Sequence, residues 1–397
     1  MKVIQSAKIL LPREGIDLNK WAVVACDQFT SEPEYWDEVA TYVGNEPSTL
    51  RIILPEVYLE SPNKEARIEK INATMKDYLD SGILREGFEG LMLVERETRK
   101  KRRGLVVALD LENYEYTKGS KTLIRATEGT VESRIPPRLE IRKNALVELP
   151  HIMVLIDDPN KTVIEPLFEE NLEKVYDFEL MMRGGHIKGW KIDDQNLIEK
   201  INQNLEKLIS SDGFLFAMGD GNHSLATAKA HWNNIKNNLS EEEKINHPAR
   251  FALVELVNVH DEGLEFEPIH RVIFGVESDK LENFLAGEGK EVKIVSNGEE
   301  KIIRLKEVGS NLVVGDLQKL LDEFLEQNLE VKIDYVHGEE AVKKLAVGNN
   351  VGFILEGMKK EELFPTVGKD GALPRKTFSM GEAEEKRYYL ESRKIVR

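Results

Sequence analysis

The chain has 397 residues, of which 41% are hydrophobic and 32% are charged, with a formal net charge of −16 and one cysteine. This composition is typical of a globular protein with more than one domain, and we expect a cytoplasmic location. The acidic charge counts against nucleic acid as the main partner. No apolar stretch reaches the roughly 20 residues of a membrane helix. Cys26, as the one cysteine, cannot form an intramolecular disulfide.

Apolar residues recur along the chain with the periods of strands and of helices. Strands are predicted at Ile4–Leu11, Trp21–Ala25, Leu50–Leu59, Gly90–Arg96, Gly104–Leu111, His151–Asp158, Tyr176–Met182, His186–Ile192, Phe251–Val259 and Phe266–Phe274. Helices are predicted at Pro33–Val43 (with Ser31 as its cap), Asn63–Leu84, Val163–Val175, Asp193–Ser211, Asp316–Leu329 and Glu339–Leu345. This mixture predicts an α+β protein of mixed sheets with flanking helices. We expect a main domain over residues 1–275 and a smaller C-terminal α/β region over 276–397 that packs on it.

The stretch Phe214–Trp232 combines a strand, a tight turn and the start of a helix. Its apolar run ends at Gly219-Asp220-Gly221, where glycine permits backbone conformations that other residues resist. Apolar residues three and four positions apart then predict a helix, with Asn222 or Ser224 as the cap of its first turn. Backbone N–H groups and the positive end of the helix dipole meet there. The sequence therefore predicts an anion-binding elbow, Gly219–Ser224, for a phosphate or a carboxylate.

Asp220 and His223 are the candidates for chemistry at the elbow. A carboxylate can hold a metal ion or orient an acceptor hydroxyl, and an imidazole with an ordinary pKa of about 6.5 can donate to phosphate or exchange protons. The alternative is structural: Asp220 and Asn222 cap the helix while His223 hydrogen-bonds the turn. We predict Asp220 and His223 as catalytic residues, with Asp220 also as the metal ligand.

The second informative stretch is Leu123–Asn144, which is rich in arginine and contains a Pro-Pro pair. Arginine forks hold carboxylates or phosphates through paired hydrogen bonds. We therefore predict that Glu128, Arg134 and Arg138 belong to the binding site. The alternative is a surface helix with salt bridges.

Several common types of site have no counterpart in the sequence. The eight histidines form no His-Glu-x-x-His pattern, and no Gly-x-x-x-x-Gly-Lys loop for nucleotides exists. Ser224 lies in no Gly-x-Ser-x-Gly motif, so a serine hydrolase is a poor interpretation. Cys26 is interpreted as a buried structural residue.

Two segments resemble a known family, domain of unknown function 1015. The family's motif Ala-Asp-Gly-His-His-Arg, followed by a helix, is similar to Gly219–Ser224, with Asn222 in place of the first histidine and Ser224 in place of the arginine. A Pro-x-His-Arg segment of the family resembles Pro268–Arg271. The organisation is similar over most of the chain.

The elbow also resembles the nucleotide-phosphate motif of the ParB/sulfiredoxin-like superfamily, which includes CTP-binding partition proteins, sulfiredoxin and free-serine kinases. The resemblance implies a ParB/sulfiredoxin-like element around the elbow. It implies a phosphate site lined by Gly219, Gly221, Asn222, His223 and Ser224, to which we add Thr227 on the same helix. Because Ser224 replaces the arginine, Arg134, Arg138 or Arg271 has to supply the positive charge, and His270 accompanies Arg271.

The resemblance implies a protein that binds a nucleotide or a phosphorylated metabolite. As an enzyme it would be a kinase or phosphotransferase of a small hydroxyl-bearing metabolite, with Mg²⁺ and a nucleoside di- or triphosphate. A non-catalytic, nucleotide-responsive regulator is the alternative, favoured by the missing arginine. A DNA-partition factor is disfavoured by the acidity, and a metal-dependent hydrolase using Asp220, His223 and His270 stays open. The expected partner is a small molecule or nucleotide, with no nucleic acid or membrane and an undefined oligomeric state.

Overall fold

The computed structural model describes residues 2–117, 119–374 and 376–397. Its helices are α1 (Leu18–Trp21), α2 (Pro33–Val43), α3 (Lys64–Asp80), α4 (Ile135–Lys143), α5 (Gln195–Glu206), α6 (Asn222–Lys236), α7 (Glu241–Ile245), α8 (Ser278–Leu285), α9 (Val313–Gln327), α10 (Glu339–Leu345) and α11 (Leu363–Asp370). Among the described residues, every helix is too short or too polar to cross a membrane.

Strands and helices are interspersed along the chain, so the fold is a mixed α and β fold, as the sequence predicts. They are β1 (Ala7–Pro12), β2 (Leu84–Glu97), β3 (Lys101–Asp110), β4 (Ile124–Arg125), β5 (Val147–Glu148), β6 (Met153–Ile156), β7 (Lys174–Glu179), β8 (His186–Ile192), β9 (Phe216–Asp220), β10 (Phe251–Asn258), β11 (Phe266–Phe274), β12 (Ala286–Ser296), β13 (Glu299–Leu305), β14 (Lys332–His337), β15 (Asn350–Ile354), β16 (Phe378–Met380) and β17 (Arg393–Lys394).

The chain divides into two compact units. The first unit holds the chain up to Ala126, the segment Thr130–Leu264 and the C-terminal tail Glu382–Arg397. The second unit holds Thr127–Gly129 and Glu265–Gly381. The boundary expected from the sequence lies between 275 and 276 instead. In the structure the whole of β11 belongs to the second unit, and the tail returns to the first.

One large sheet forms the centre of the first unit. Its strand order is β4-β9-β6-β10-β3-β2-β8-β7, and β1 pairs with β2. β4 runs parallel to β9 and β6 parallel to β10, while the other neighbours are antiparallel. Because successive side chains of a strand point to opposite faces, β2 sends Met92 and Val94 into one core and Leu91 and Leu93 into the other.

Helices cover both faces of this sheet. On one face, α2 and α3 bury Trp36 and Ile68 together with Tyr389 of the tail. On the other face, α5 and α6 bury Leu205 and Trp232. Removal of this apolar surface from water, at roughly 25 cal/mol per Å², is the main force that fixes α6 against β9 and so holds the elbow between them.

A buried charge cluster around Arg387 holds the tail in the first unit. The Arg387 guanidinium donates to Glu255 Oε2 at 2.5 Å, to the Pro150 carbonyl at 3.0 Å and to Glu391. All three charged side chains are buried. Burial raises the pKa of Glu255, but the Arg387 and Arg102 guanidinium groups outweigh it and hold the pKa below its ordinary value. A tail arginine thus neutralises a carboxylate of the central strand β10.

The second unit has its own sheet and core. The strand order is β13-β12-β15-β11-β14, and β16 pairs with β11. Helices α8 and α9 pack on this sheet through Leu281, Leu317 and Phe324. Helix α10 contributes Val342 to a smaller cluster.

Four predicted elements have the bounds that the sequence gives them: α2, α10, β8 and β11. The cap predicted for α2 is wrong, because Glu32 rather than Ser31 occupies the capping position and makes no side-chain cap. The strands predicted at Gly90–Arg96 and Gly104–Leu111 pair as the antiparallel hairpin β2–β3, in which β2 begins six residues earlier than predicted, at Leu84; those predicted at Tyr176–Met182 and His186–Ile192 pair as β7–β8.

Three other predictions are wrong. Trp21 is the last residue of the helical turn α1 and Ala22–Ala25 follow it, Leu50–Leu59 contains parts of two 3₁₀ turns, and Val163–Val175 contains a 3₁₀ turn at Glu165–Glu169 instead of an α-helix. These segments are apolar because they are buried as irregular backbone: Trp21 and Ile52 are at most 1% exposed. Burial alone does not distinguish a strand from a buried loop.

We expect Arg387→Met to lower the free energy of unfolding of the first unit by about 3–5 kcal/mol, because it leaves buried carboxylates without their main cation. Urea denaturation followed by tryptophan fluorescence measures this. The four tryptophans, Trp21, Trp36, Trp190 and Trp232, all lie in the first unit.

The matched control is Lys394→Met, which removes an exposed tail cation and should change stability by less than about 0.5 kcal/mol. Overlapping transitions for Arg387→Met and the wild type would contradict the role given to the charge cluster.

Candidate functional site

The elbow is a strand, a left-handed turn and a helix start. β9 ends at Asp220, Gly221 has φ +78°, and α6 begins at Asn222. A Cβ atom on Gly221 would lie 3.0 Å from Ile152 Cα and 3.1 Å from Ile152 Cγ1. Both the positive φ and this close approach require glycine at position 221.

The N-terminus of α6 has no side-chain cap among the described residues, and no acidic residue lies in its first turn. The prediction that Asn222 or Ser224 caps the helix is therefore wrong. The Ser224 hydroxyl is hydrogen-bonded to His151 instead of to the helix backbone. The buried Asn222 Oδ1 has no hydrogen-bond partner in the part of the chain that the structure describes. The first-turn N–H groups and the positive end of the dipole thus remain available to an anion.

Asp220 lies at the base of the turn in an ion pair. Lys386 Nζ is 3.0 Å from Asp220 Oδ2, and Asp220 Oδ1 accepts the Gly221 N–H at 2.8 Å. Burial raises the pKa of Asp220, but the Lys386 ammonium and the Gly221 N–H outweigh it, so the pKa lies below its ordinary value. Asp220 is therefore an ionised carboxylate whose charge Lys386 balances.

His223 is held as a neutral imidazole. Its Nε2 accepts the Val131 N–H at 3.3 Å, so the proton lies on Nδ1. Burial, followed by the positive charges of Arg138 and Arg134, lowers the pKa of His223 to about 4. At neutral pH this side chain offers one N–H donor and no charge.

Arg134 and Arg138 lie near the elbow but differ in their surroundings. Arg134 is exposed. Arg138 donates from Nε and Nη2 to the two carboxylate oxygens of Glu56, at 2.8 and 2.5 Å, and from Nη1 to the Arg134 carbonyl at 2.7 Å. The fork of Arg138 is thus already engaged by a carboxylate, as a phosphate or a ligand carboxylate would engage it.

His151 connects the elbow to the tail. Its Nε2 lies 2.7 Å from Ser224 Oγ and 3.8 Å from Asp27 Oδ2, and its Nδ1 lies 2.8 Å from Tyr389 Oη. The Cys26 N–H donates to the same phenol at 3.1 Å. Ser224 therefore belongs to a chain of polar contacts whose members are widely separated in sequence.

Five residues of the site were not expected there from the sequence: Asp27, Glu56, His151, Lys386 and Tyr389. Their signals are weak, since Asp27 follows an apolar run, His151 precedes one, and Tyr389 lies in a tail too apolar to be free in solvent. No local pattern relates these positions to one another.

A cavity of about 150 Å³ adjoins these contacts. Its polar wall includes Glu56, Arg138, His151, Ser224 and Tyr389. Thr227, one turn further along α6, also lines it and donates its hydroxyl to the His223 carbonyl at 2.7 Å. The predicted residues Ser224, Thr227 and Arg138 thus share one cavity, while Gly219 contributes backbone within β9.

Three predicted residues lie in the second unit. His270 and Arg271 are buried in β11, where His270 Nδ1 accepts the Leu355 N–H and Arg271 Nε donates to Gln318. Burial lowers the pKa of Arg271 to about 10. Glu128 accepts the Lys376 N–H. Each of these three hydrogen bonds joins two residues of the second unit.

The carboxylates near the elbow are mostly paired with cations. Asp220 pairs with Lys386 and Glu56 with Arg138, while Asp27 accepts from Gln28 Nε2. Among the described residues, no group of three or more acidic, histidine or cysteine side chains has the arrangement of a metal site.

The sequence matches a family described as "Protein of unknown function (DUF1015)" over residues 10–395. Among curated proteins, none matches the sequence. The fold is similar to that of a conserved hypothetical protein from Pyrococcus furiosus, with 13% identity, a TM-score of 0.35, and coverage of 73% of this chain and 95% of that one.

Two further solved structures are similar to the chain. SbnI with a C-terminal truncation, from Staphylococcus aureus, has 9% identity and a TM-score of 0.37, with coverage of 70% of this chain and 82% of that one. Free serine kinase in complex with AMP has 12% identity and a TM-score of 0.39, with coverage of 76% and 95%. Similarity this low says nothing about the ligand or the chemistry of this chain.

We expect the His223 imidazole to titrate near pH 4, and NMR titration of its Cε1–H signal measures this. Between its ordinary pKa of 6.5 and about 4, the unfolded chain binds a proton that the folded chain does not. The free energy of unfolding of the first unit should therefore decrease as the pH falls from 6.5 to about 4, and above pH 6.5 His223 should cause no such loss.

His223→Gln assigns the signal by its disappearance and should remove this part of the pH dependence. Titration of His223 near 6.5 would contradict the buried, neutral state described above.

Proposed function

The chain belongs to the DUF1015 family, and we propose that it binds the phosphate group of a nucleotide or phosphorylated metabolite at the elbow, Gly219–Ser224. The observation that carries this proposal is the uncapped N-terminus of α6 behind the left-handed Gly221. Seven other α-helices among the described residues also begin without a side-chain cap, but α6 is the one that begins behind a residue in the left-handed αL conformation. Successive backbone N–H groups beside such a residue form a concavity that binds anions.

The surroundings of the elbow support a phosphate. Lys386 and the exposed Arg134 supply positive charge, and the Nδ1–H of His223 is a neutral donor in the same turn. Oxygen atoms of a phosphate accept from backbone N–H, ammonium and imidazole donors at once. A phosphate group therefore matches a site that contains donors of all three kinds.

The proposed reaction is phosphoryl transfer from a nucleoside triphosphate to the hydroxyl of a small molecule. The acceptor oxygen forms a bond to the terminal phosphorus while the bond from that phosphorus to the bridging oxygen breaks, and the diphosphate leaves. The hydroxyl proton passes to a base, for which His151 is the candidate because it lines the cavity and its Nε2 lies 2.7 Å from Ser224 Oγ.

Mg²⁺ would supply charge neutralisation of the phosphates in such a reaction. It commonly binds proteins through one or two carboxylates and takes its other ligands from phosphate and water. Asp27 fits that requirement better than Asp220, because Asp220 is already paired with Lys386. Asp220 would serve as a ligand only if Lys386 turned to the phosphate instead.

A non-catalytic, nucleotide-responsive protein is the second candidate. It is favoured by the pairing of Arg138 with Glu56 and of Lys386 with Asp220, because charges already compensated within the protein stabilise a transition state less than free ones. Such a protein would bind a nucleotide without turnover. Incubation with ATP, Mg²⁺ and a panel of small alcohols, followed by quantification of ADP, separates the two candidates.

We expect Asn222→Asp to weaken phosphate or nucleotide binding at least tenfold. The change keeps the shape of the side chain and adds one negative charge at the first residue of α6, where it repels the anion and interacts favourably with the helix dipole. Calorimetry with ATP, ADP, CTP and inorganic phosphate in the presence of Mg²⁺ measures this, while the stability of the variant should not fall. His223→Ala should also weaken binding, through loss of one donor.

Asn196→Asp is the matched control, since it adds the same charge to the first turn of α5, where Asp194 already caps the helix. Its affinity should equal that of the wild type. Equal affinity of Asn222→Asp and wild type would show that the anion does not bind at the elbow, and no binding by any folded variant would overturn the proposed function.

A further inference from the structure

The cavity beside the elbow has a polar wall and an apolar floor, and we propose that it binds a small, uncharged aliphatic alcohol with its hydroxyl at Ser224 and His151. The role of that alcohol as the phosphoryl acceptor rests on the proposed function. Its binding does not, because apart from Ser224 the residues that line the cavity lie outside the elbow.

The floor of the cavity selects a hydrocarbon. It is formed by aliphatic side chains and methionine, among them Ile52, Leu54, Met75, Ile141 and Val147. Protein interiors are close-packed, with few voids larger than a water molecule. An apolar cavity of about 150 Å³ holds a molecule the size of benzene, which corresponds to about six heavy atoms.

The ion pairs in the wall favour an uncharged ligand. Arg138 pairs with Glu56 through two hydrogen bonds, and Arg142 Nη2 lies 2.6 Å from Glu148 Oε2. Both pairs line the cavity, and Glu148 also accepts from Arg393 Nε, so each carboxylate of the wall has a guanidinium partner. A cationic ligand would therefore find no free carboxylate in the wall, and an anionic ligand would have to compete with Glu56 or Glu148 for a guanidinium.

The polar wall provides for a single hydroxyl. Ser224 Oγ and His151 Nε2 are 2.7 Å apart, and Tyr389 fixes the other nitrogen of the imidazole at 2.8 Å. Burial also keeps the Cys26 thiol protonated, since it raises the pKa of that group. Hydroxyl groups both donate and accept, so an alcohol can insert at this pair without leaving a polar atom unsatisfied.

Ser224 belongs to both sites, because it lies in the first turn of α6 and on the cavity wall. A hydroxyl bound at Ser224 therefore faces the end of the helix to which we assign the phosphate. The Asp27 carboxylate lies 3.8 Å from His151 Nε2. The cavity holds the carbon skeleton, and its polar wall presents the reacting oxygen.

The test uses 3-methylbutan-1-ol and the methyl signal of Met75 in protein labelled with ¹³C at the methionine methyl groups. Met75→Leu assigns the signal. The alcohol should shift the Met75 methyl signal in a saturable manner, while that of Met380 in the second unit should not move. The charged analogue 3-methylbutanoate should bind at least tenfold more weakly.

Two variants locate the alcohol. Ala145→Leu places a larger side chain on the cavity lining and should abolish saturable binding, whereas Lys143→Leu, at an exposed position two residues earlier, should not. Ser224→Ala keeps the cavity and should weaken binding of the alcohol at least fivefold through the lost hydroxyl contact. This variant replaces Ala145→Leu as the test if Ala145→Leu does not fold.

Phosphate calorimetry on the same samples separates this inference from the proposed function. If the protein binds phosphate but the alcohol does not shift the Met75 signal, the inference about the cavity is overturned and the proposed function is not. A response to the alcohol without phosphate binding would support the cavity ligand and remove its role as acceptor. Tighter binding of 3-methylbutanoate than of the alcohol would also overturn the inference, since it requires an unpaired cation in the wall.

Discussion

The buried pairing of Arg387 with Glu255 and Glu391 is the interaction on which the site depends. It ties the tail to the central strand β10, against the cost of burying three charges. The residues on either side of Arg387 in the tail then reach the elbow region: Lys386 pairs with Asp220, and Tyr389 fixes His151. The tail therefore completes a site whose backbone belongs to the elbow. Asp220 of the elbow and Arg387 of the tail are about 170 residues apart in the sequence.

Compensated charge characterises the whole region. Asp220, Glu56 and Glu148 each have a cationic partner, and His223 is held neutral. What remains available is a set of N–H groups at the uncapped helix and, next to it, a cavity whose carboxylates are paired with guanidinium groups. Such a site would bind an anionic group at the start of α6 and an apolar molecule in the cavity, with Ser224 between the two. The proposals for the phosphate and for the alcohol both follow from that separation.

The sequence predicts the elements whose signals are local. The Pro33–Val43 and Glu339–Leu345 helices follow from apolar residues at helical spacing, and the Phe266–Phe274 strand from β-branched and aromatic residues; all three have the expected bounds. The elbow follows from two glycines between an apolar run and a helical pattern. The apolar runs Trp21–Ala25 and Leu50–Leu59 predict strands, but both are buried as turns and irregular backbone. Periodicity over five to ten residues cannot separate those outcomes.

The amino-acid sequence by itself determined the mixed fold, the position of the elbow and the helix that starts directly after it, because each depends on residues within one or two turns of one another. Only the tertiary structure decided that the helix is uncapped, that Arg138 pairs with Glu56, and that Asp27, Ser224 and Tyr389 meet at His151. It also decided that His270 and Arg271 lie in the core of the second unit. These outcomes depend on packing between distant segments. Each of these side chains can make a hydrogen bond either to a nearby residue or to a distant one, and only the packed core decides which partner lies within reach.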